Sequence, residues 1–535
     1  MKKISLIIFV CITSIGLLQS QTIDDALRFN KRELTGTSRS LGMANAFGAL
    51  GGDLSALSIN PAGIAVYRNS DFAFTPSVSL NQTKSSFLGM NSKDDKYAFP
   101  FNQIGGVTTI RSLRDKDKGL ISTHFGFTYN RTADFNQNIS MLLGQKITDN
   151  HEMGQINTLL TNIMLDANGY APYELEDIEN GASQFDPLHS SYWAYETYLT
   201  SLVDGEEDIY LSQYHYTDSD RPGEIPYRNF NGIDQYNIIE RDGYGGEYAF
   251  TFGANISHVL LLGASLNFQT YRFEEKESFR EVNAYGFDPA YNEDLDYYDL
   301  YTNLSQKGFG VNGKFGLILN LHPIRLGAAF HTPTFYDIDE KFDYGMESFF
   351  KDRFTQRWLS SYRFDYSYNY RTPYRASGSL AMVLGKIALL SLDYEMTDHT
   401  ASKFSPKNGF ATYFDQLNRM VDEQMKVTHD FRAGVELKPI PFFAIRAGAA
   451  YFDSPLKKEY TDKELTKWMA TAGLGIRNKN FYFDVAYALM ISDQNYNINA
   501  NENSLSHPHL DPLYFTGIEL NNRQHQASFT FGWKF

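Results

Sequence analysis

The last nine residues constrain this chain more than any others. Along Ala527–Phe535, Ala527, Phe529, Phe531, Trp533 and Phe535 fall on one side of an extended chain, and Ser528, Thr530, Gly532 and Lys534 on the other. Side chains alternate faces along a β-strand, so one face here is aromatic and the other small or polar. A soluble sandwich strand would usually carry charge on its outer face. An aromatic face backed by small polar residues suits lipid on one side and a barrel lumen on the other. The alternation recurs at Phe72, Phe74, Val78 and Leu80, at Phe125, Phe127 and Tyr129, at Phe309, Val311, Phe315 and Leu317, and at Phe481, Phe483, Val485 and Tyr487.

Composition agrees. The 535 residues include 41 Phe, 36 Tyr and 4 Trp, far too many aromatics for a disordered chain. Mean hydropathy is −0.38, too polar for a bundle of membrane helices. The longest apolar stretch after the N-terminus, Leu380–Leu392, is interrupted by Lys386. A chain like this enters a bilayer only as a closed β-barrel. The net charge of −15 argues against nucleic acid as a partner.

Residues 1–20 read as a secretory signal peptide, with Lys2 and Lys3 before an apolar run and Ser20 at its end. The single cysteine, Cys11, lies inside that segment, so no disulfide framework is possible. Tight turns are expected near 112–118, 258–260, 322–324, 385–387, 439–441 and 477–480. Between them lie seven longer polar segments, at 83–98, 131–245, 274–295, 335–357, 398–426, 454–464 and 492–522. Seven long loops and six short turns join 14 strands, the even number expected when both ends face the periplasm. Segments 296–321 and 358–384 are long enough to be divided, which would give 16. The expected fold class is therefore an all-β membrane protein, a 14-stranded antiparallel transmembrane barrel over 72–535 with a long external insertion at 131–245.

Residues 21–71 do not read as strands. Gly, Ala and Ser dominate the run Gly36–Gly63, which is too small to hold its own core and suited to close packing inside another structure. Here the chain resembles the FadL-type outer-membrane transporters of long-chain fatty acids and aromatic hydrocarbons. The resemblance rests on the Arg39–Asp53 stretch, Asp53-Leu54-Ser55-Ala56, and Asn60, Pro61, Ala62 and Gly63. It continues through Gly308–Gly316, Arg325-Leu326-Gly327, His331-Thr332-Pro333-Thr334 and the terminal Phe535 strand. It implies a hatch, or plug, formed by 21–71 within the lumen, and passive uptake of hydrophobic small molecules through a pocket and a lateral opening. Outer-membrane lipid is then a partner, and the strand ending in Phe535 is the signal read by the barrel-assembly machinery. Two other readings remain, a structural or adhesive barrel and a hemin-binding protein.

Candidate ligand-handling residues follow from pattern. Ile156, Leu159, Leu160, Ile163 and Met164 share one face of a helix, and Tyr192, Trp193 and Tyr195 form a second patch. Both suit capture of apolar ligands above the barrel mouth, and both suit a loop packing on itself. Strand parity turns Lys314, Arg325, Arg446 and Asp484 into the lumen, with Asp393, Glu395, Arg432, Glu436 and Arg477. These are lumen ion pairs or contacts for a ligand carboxylate. His507 and His509 have no third ligand, so no metal or cofactor is expected. No G-x-S-x-G nucleophile motif accompanies the Ser and His residues, so no catalysis is expected.

Overall fold

The computed structural model describes residues 23–33, 35–87, 89–112, 118–146, 158–181, 188–214, 232–283, 295–350, 355–359, 363–407, 411–461, 465–496 and 518–535. The signal peptide, Ile156, His507 and His509 lie outside them.

Fourteen antiparallel strands close into one barrel. They are β1 (Asp71–Phe87), β2 (Met90–Ala98 and Phe101–Arg111), β3 (Leu120–Asp134 and Gln137–Lys146), β4 (Gly232–Ile256), β5 (Leu260–Val282), β6 (Leu295–Leu321) and β7 (Ile324–His331 and Phe335–Phe350). There follow β8 (Arg363–Arg371 and Arg375–Leu384), β9 (Ala388–Asp398 and Lys403–Pro406), β10 (Val427–Ile440), β11 (Phe443–Phe452), β12 (Lys467–Arg477), β13 (Phe481–Tyr496) and β14 (Ile518–Lys534). Closure comes from β1 on β14, in register from Asp71↔Lys534 to Ser86↔Glu519. The two divisible segments do not make 16. β6 runs unbroken, and Pro373, which has no N–H to give a ladder, only interrupts β8.

Each expected turn separates two consecutive strands at one end of the barrel. At the other end the strands run further than expected. The segment 83–98 is a hairpin, with Phe87 paired to Met90, and β5 and β6 stay paired up to Val282 and Tyr297. The reason is visible on β5. Leu262 and Leu266 face outward in its lower half, whereas Arg272, Lys276 and Arg280 are exposed in its upper half. The inward side chains Tyr271, Phe273 and Phe279 stay buried throughout. An outer face that turns charged reads as loop, although the strand has only left the lipid.

The apolar exterior is laddered. Phe125 sits on Phe252, Phe127 on Phe250 and Tyr129 on Tyr248, with ring centroids 5.0–5.1 Å apart across β3 and β4. Such cross-strand aromatic pairs stabilise a sheet by about 0.5–1.5 kcal/mol each beyond burial. An exterior this apolar on a closed barrel suits a bilayer.

Inside, the N-terminal residues run as α1 (Ile23–Asn30), α2 (Ser38–Leu41), α3 (Ala56–Ile59) and a 3₁₀ turn, Pro61–Val66. From Thr35 to Ala65 nearly every residue is buried, within the barrel. Wall glycines make this possible. A β-carbon at Gly327 would lie 2.5 Å from the Gly48 carbonyl oxygen, one at Gly434 2.6 Å from that of Met43, and one at Gly448 2.5 Å from the Ala44 nitrogen. The small face of the strand pattern is thus the surface on which the segment lies. Gly327→Val should push the segment off the wall at an overpacking cost of about 1–3 kcal/mol. We expect faster protease cleavage within residues 36–60 in that variant while the barrel keeps its heat-modifiable migration on gels.

Candidate functional site

The plug is built from polar contacts that the sequence motif supplies. The Asp53 carboxylate accepts from the Thr37 hydroxyl at 2.7 Å and the Ser55 amide at 3.0 Å. Thr37 is the N-cap of α2, so Asp53 fixes where that helix begins. Asn60 caps the turn Pro61–Val66, its side-chain oxygen accepting from the Ala62 amide at 3.0 Å. Its amide nitrogen donates to the carbonyls of Gly48 at 2.7 Å and Leu317 at 3.2 Å. Leu317 belongs to β6, so Asn60 binds two stretches of plug to the wall. Gly63 approaches Gly51, whose φ of +61° glycine adopts without strain.

Four lumen charges expected from parity are brought to this plug. Lys314 donates to both Glu247 oxygens at 2.6 Å and to the Ser58 carbonyl at 3.0 Å. Arg325 donates to the Leu50 carbonyl at 2.7 Å. Arg446 lies 2.6 Å from Glu436 and 2.7 Å from Asp484, and Arg39 of the plug shares Glu436 at 3.0 Å. None of the four lines the cavity that lies above the plug. Removing one member of a buried pair leaves a bare charge and costs about 3–5 kcal/mol, whereas replacing both with apolar residues is far milder. Glu247→Leu and Lys314→Met should each lower the melting temperature more than the double variant does, in thermal unfolding followed by light scattering.

Above the plug lies a cavity of about 1070 Å³. Leu41, Ala44, Phe452, Met469, Ala488 and Met490 form an apolar corner. Beside it stand Lys31, Arg32, Glu33, Arg375, Glu395, Arg432 and Lys467. Arg432 donates to Glu395 at 2.5 Å, and Arg375 and Arg32 flank the same carboxylate at 3.5 and 3.8 Å. Burial lowers the Arg32 guanidinium to about 10 despite Glu395, so it stays charged at neutral pH. Burial works to raise Glu33, but Lys31 and Lys467 outweigh it and hold its carboxyl below the usual range. Parity alone places Lys467 and Arg375 inward, beside Trp468 and Tyr374.

The cavity reaches a break in the wall. β2 pairs with β3 only from Gln103↔Asn130 to Arg111↔Ser122. Above that level Met90–Ala98 pairs with β1 alone, and Gln137–Lys146 with β4 alone. The upper part of β3 turns inward, as its contacts show. Phe135 packs on Tyr271 and Phe273 with ring centroids 5.4 and 5.5 Å away, and Gln137 donates to Asn522 at 2.8 Å. Tyr97 and Phe99 stand exposed on the β2 side of the break. Lys31, Glu33 and Thr35 cover the inner side. The Glu33 amide donates to the Thr132 carbonyl at 2.6 Å, Thr35 to the Arg131 carbonyl at 2.9 Å and Lys31 to the Asp134 carbonyl at 2.6 Å.

The expected capture residues lie in the external insertion, whose helices are α4 (Leu159–Ala167), α5 (Pro172–Gly181) and α6 (Leu188–Glu196). Leu160, Ile163 and Trp193 are buried against Phe279, Tyr298 and Met346 of the upper wall, with Leu159 and Tyr192 packed on them. Met164 joins a second cluster with Leu175 and Tyr210, against which Tyr192 and Tyr195 pack. These side chains fill the insertion's own core rather than a surface open to a ligand. On the other side of the mouth, α7 (Ala411–Gln424) and α1 share an aromatic core in which Phe29 lies 4.8 Å from both Tyr271 and Tyr370. Among the described residues no group of three His, Cys, Asp or Glu is placed to hold a metal ion.

No protein-family model and no curated protein matches this chain. Solved structures do. A FadL homologue of Pseudomonas aeruginosa covers 95% of this chain and 99% of its own, at 11% identity and a TM-score of 0.51. The toluene transporters TodX of Pseudomonas putida and TbuX of Ralstonia pickettii each cover 94% of this chain and 99% of their own at 12% identity, with TM-scores of 0.49 and 0.46. At that identity the likeness is one of fold, and the chain shares the fold of the FadL homologue over nearly its whole length.

Proposed function

We propose that this chain is a passive outer-membrane channel for hydrophobic small molecules, with long-chain fatty acids as its preferred cargo. The observation that carries this reading is the cavity of about 1070 Å³ that meets the wall break on one side and the plug below. A ligand entering from outside has a side route towards lipid where β3 leaves the wall, while residues 35–66 fill the lumen towards the periplasm. Release to that side requires the plug to shift. The mixed lining favours an amphiphile over a plain hydrocarbon. Charged side chains lose hydration when apolar surface is pressed against them, and an amphiphile leaves them a polar partner. A fatty acid sets its chain against Leu41, Phe452 and Met469 and its carboxylate beside Lys467 and Lys31.

In this reading residues 1–20 are the export leader, 21–71 the hatch and 72–535 the barrel. The exposed Phe535, whose amide donates to the Ser70 carbonyl at 3.0 Å, ends the strand offered to the barrel-assembly machinery. The fold likeness to a FadL homologue supports the assignment.

The test is transport into liposomes carrying the purified protein, with oleate, methyl oleate and toluene compared. Oleate is expected to enter fastest. Equal rates for oleate and its ester would remove the carboxylate preference, and rates equal to empty liposomes for all three would sink the channel. Mass spectrometry of extracted lipid should show fatty acid enriched over bulk membrane.

A further inference from the structure

Among the described residues, one lysine bridges the break between β2 and β3. In a regular barrel β2 and β4 would lie two strand spacings apart, about 10 Å, with β3 between them. Here the upper β3 has turned inward, and β2 faces β4 across the vacated position. The ammonium of Lys96 on β2 donates to the Arg241 carbonyl of β4 at 3.0 Å and lies 2.9 Å from the Asp242 carboxylate. A side chain thus joins two strands that no backbone ladder joins. Lys96 is mostly covered, at 17% side-chain exposure, while Asp242 is 58% exposed, so the bridge stands at the water boundary. Arg241 works on both sides of the wall. Its carbonyl takes Lys96, and its guanidinium lines the cavity, 2.5 Å from Glu275.

We propose that Lys96 is a strap that sets the width of the side opening. It is a positioning residue, holding the β1–β2 hairpin over the tucked part of β3. With the strap fastened, a slim extended chain passes beneath the hairpin. A bulky ligand needs the strap released so that the hairpin swings outward. Because Arg241 also faces the cavity, a ligand there sits one residue from the strap's anchor. The proposal rests on the channel reading above and adds a size selection to it.

The test uses the full-length protein in liposomes with two probes, oleate and a pyrene-labelled fatty acid. Lys96→Met keeps the apolar stem and removes the bridge. It should raise pyrene-probe uptake about two- to fivefold, the range expected for a partly exposed ion pair, and leave oleate nearly unchanged. Lys96→Arg, which can still reach Asp242, should behave as wild type. Cysteines at 96 and 242 joined by a short bis-maleimide should slow the pyrene probe. Unchanged pyrene uptake in both Lys96→Met and the cross-linked protein would overturn the strap. If the wild type carries neither probe, the channel reading fails instead, and hydrogen exchange decides the strap separately. Faster exchange at 94–98 and 131–137 in Lys96→Met supports it, and unchanged exchange there overturns it.

Discussion

A membrane barrel has to satisfy its backbone within its own wall, because lipid offers no hydrogen bonds. The upper half of β3 breaks that rule at about the level where the outer faces turn polar. Past Asn130 β3 has no ladder to β2, and the carbonyls of Arg131, Thr132 and Asp134 lie beyond that point. Thr35, Glu33 and Lys31 take them. The stretch leading into the plug therefore stands in for a missing strand, and the plug is tied to the wall break by backbone accounting. On the proposed channel reading, a shift of this segment also disturbs the side opening.

The lumen charges divide by this geometry. Lys314, Arg325, Arg446 and Asp484 lie low and are spent on bracing, with partners on the plug or on nearby strands. Arg375, Arg432 and Lys467 stand higher, against open volume. Buried pairs of the first kind contribute little net stability and make loss of either partner costly. They specify one seating for a glycine- and alanine-rich segment that has few large side chains of its own. Charges of the second kind face the cavity.

Much of this was legible in the sequence, because period-two alternation reports directly on which face meets lipid. Phe125, Phe127, Phe309 and Phe315 are exposed as expected, and Lys314 and Arg446 are inward as expected. The turns were legible because tight connections need short polar runs. The upper strands were not. Arg272, Lys276 and Arg280 make the outer face of β5 look like loop, and the alternation at Tyr271-Arg272-Phe273 and Phe279-Arg280 is the sign that it is strand. The inward turn of β3 was not legible either. It depends on contacts between Phe135 and Tyr271, 136 positions away, and no local pattern encodes such a pairing. The helical face at Leu160, Ile163 and Met164 was read in the right place, but an apolar stripe alone does not say whether it faces a ligand or its own core.

The nature of the cavity bears on what the barrel selects. A channel for plain hydrocarbons gains from a continuous apolar path, because each charge along it must either stay hydrated or be paired. This lumen places Arg32, Glu395 and Arg432 beside an apolar corner made by Leu41, Phe452 and Met469. In the proposed reading Lys467 and Lys31, which line the same cavity, are the donors an incoming carboxylate meets, while Glu395 keeps its three arginines. A cargo with one polar end can exchange its water for those donors while its tail gains the apolar corner. A cargo with no polar end would press against the same groups and gain only the corner. On the proposed channel reading, this lining favours amphiphiles, and the break in the wall beside Phe135 favours molecules that partition into lipid.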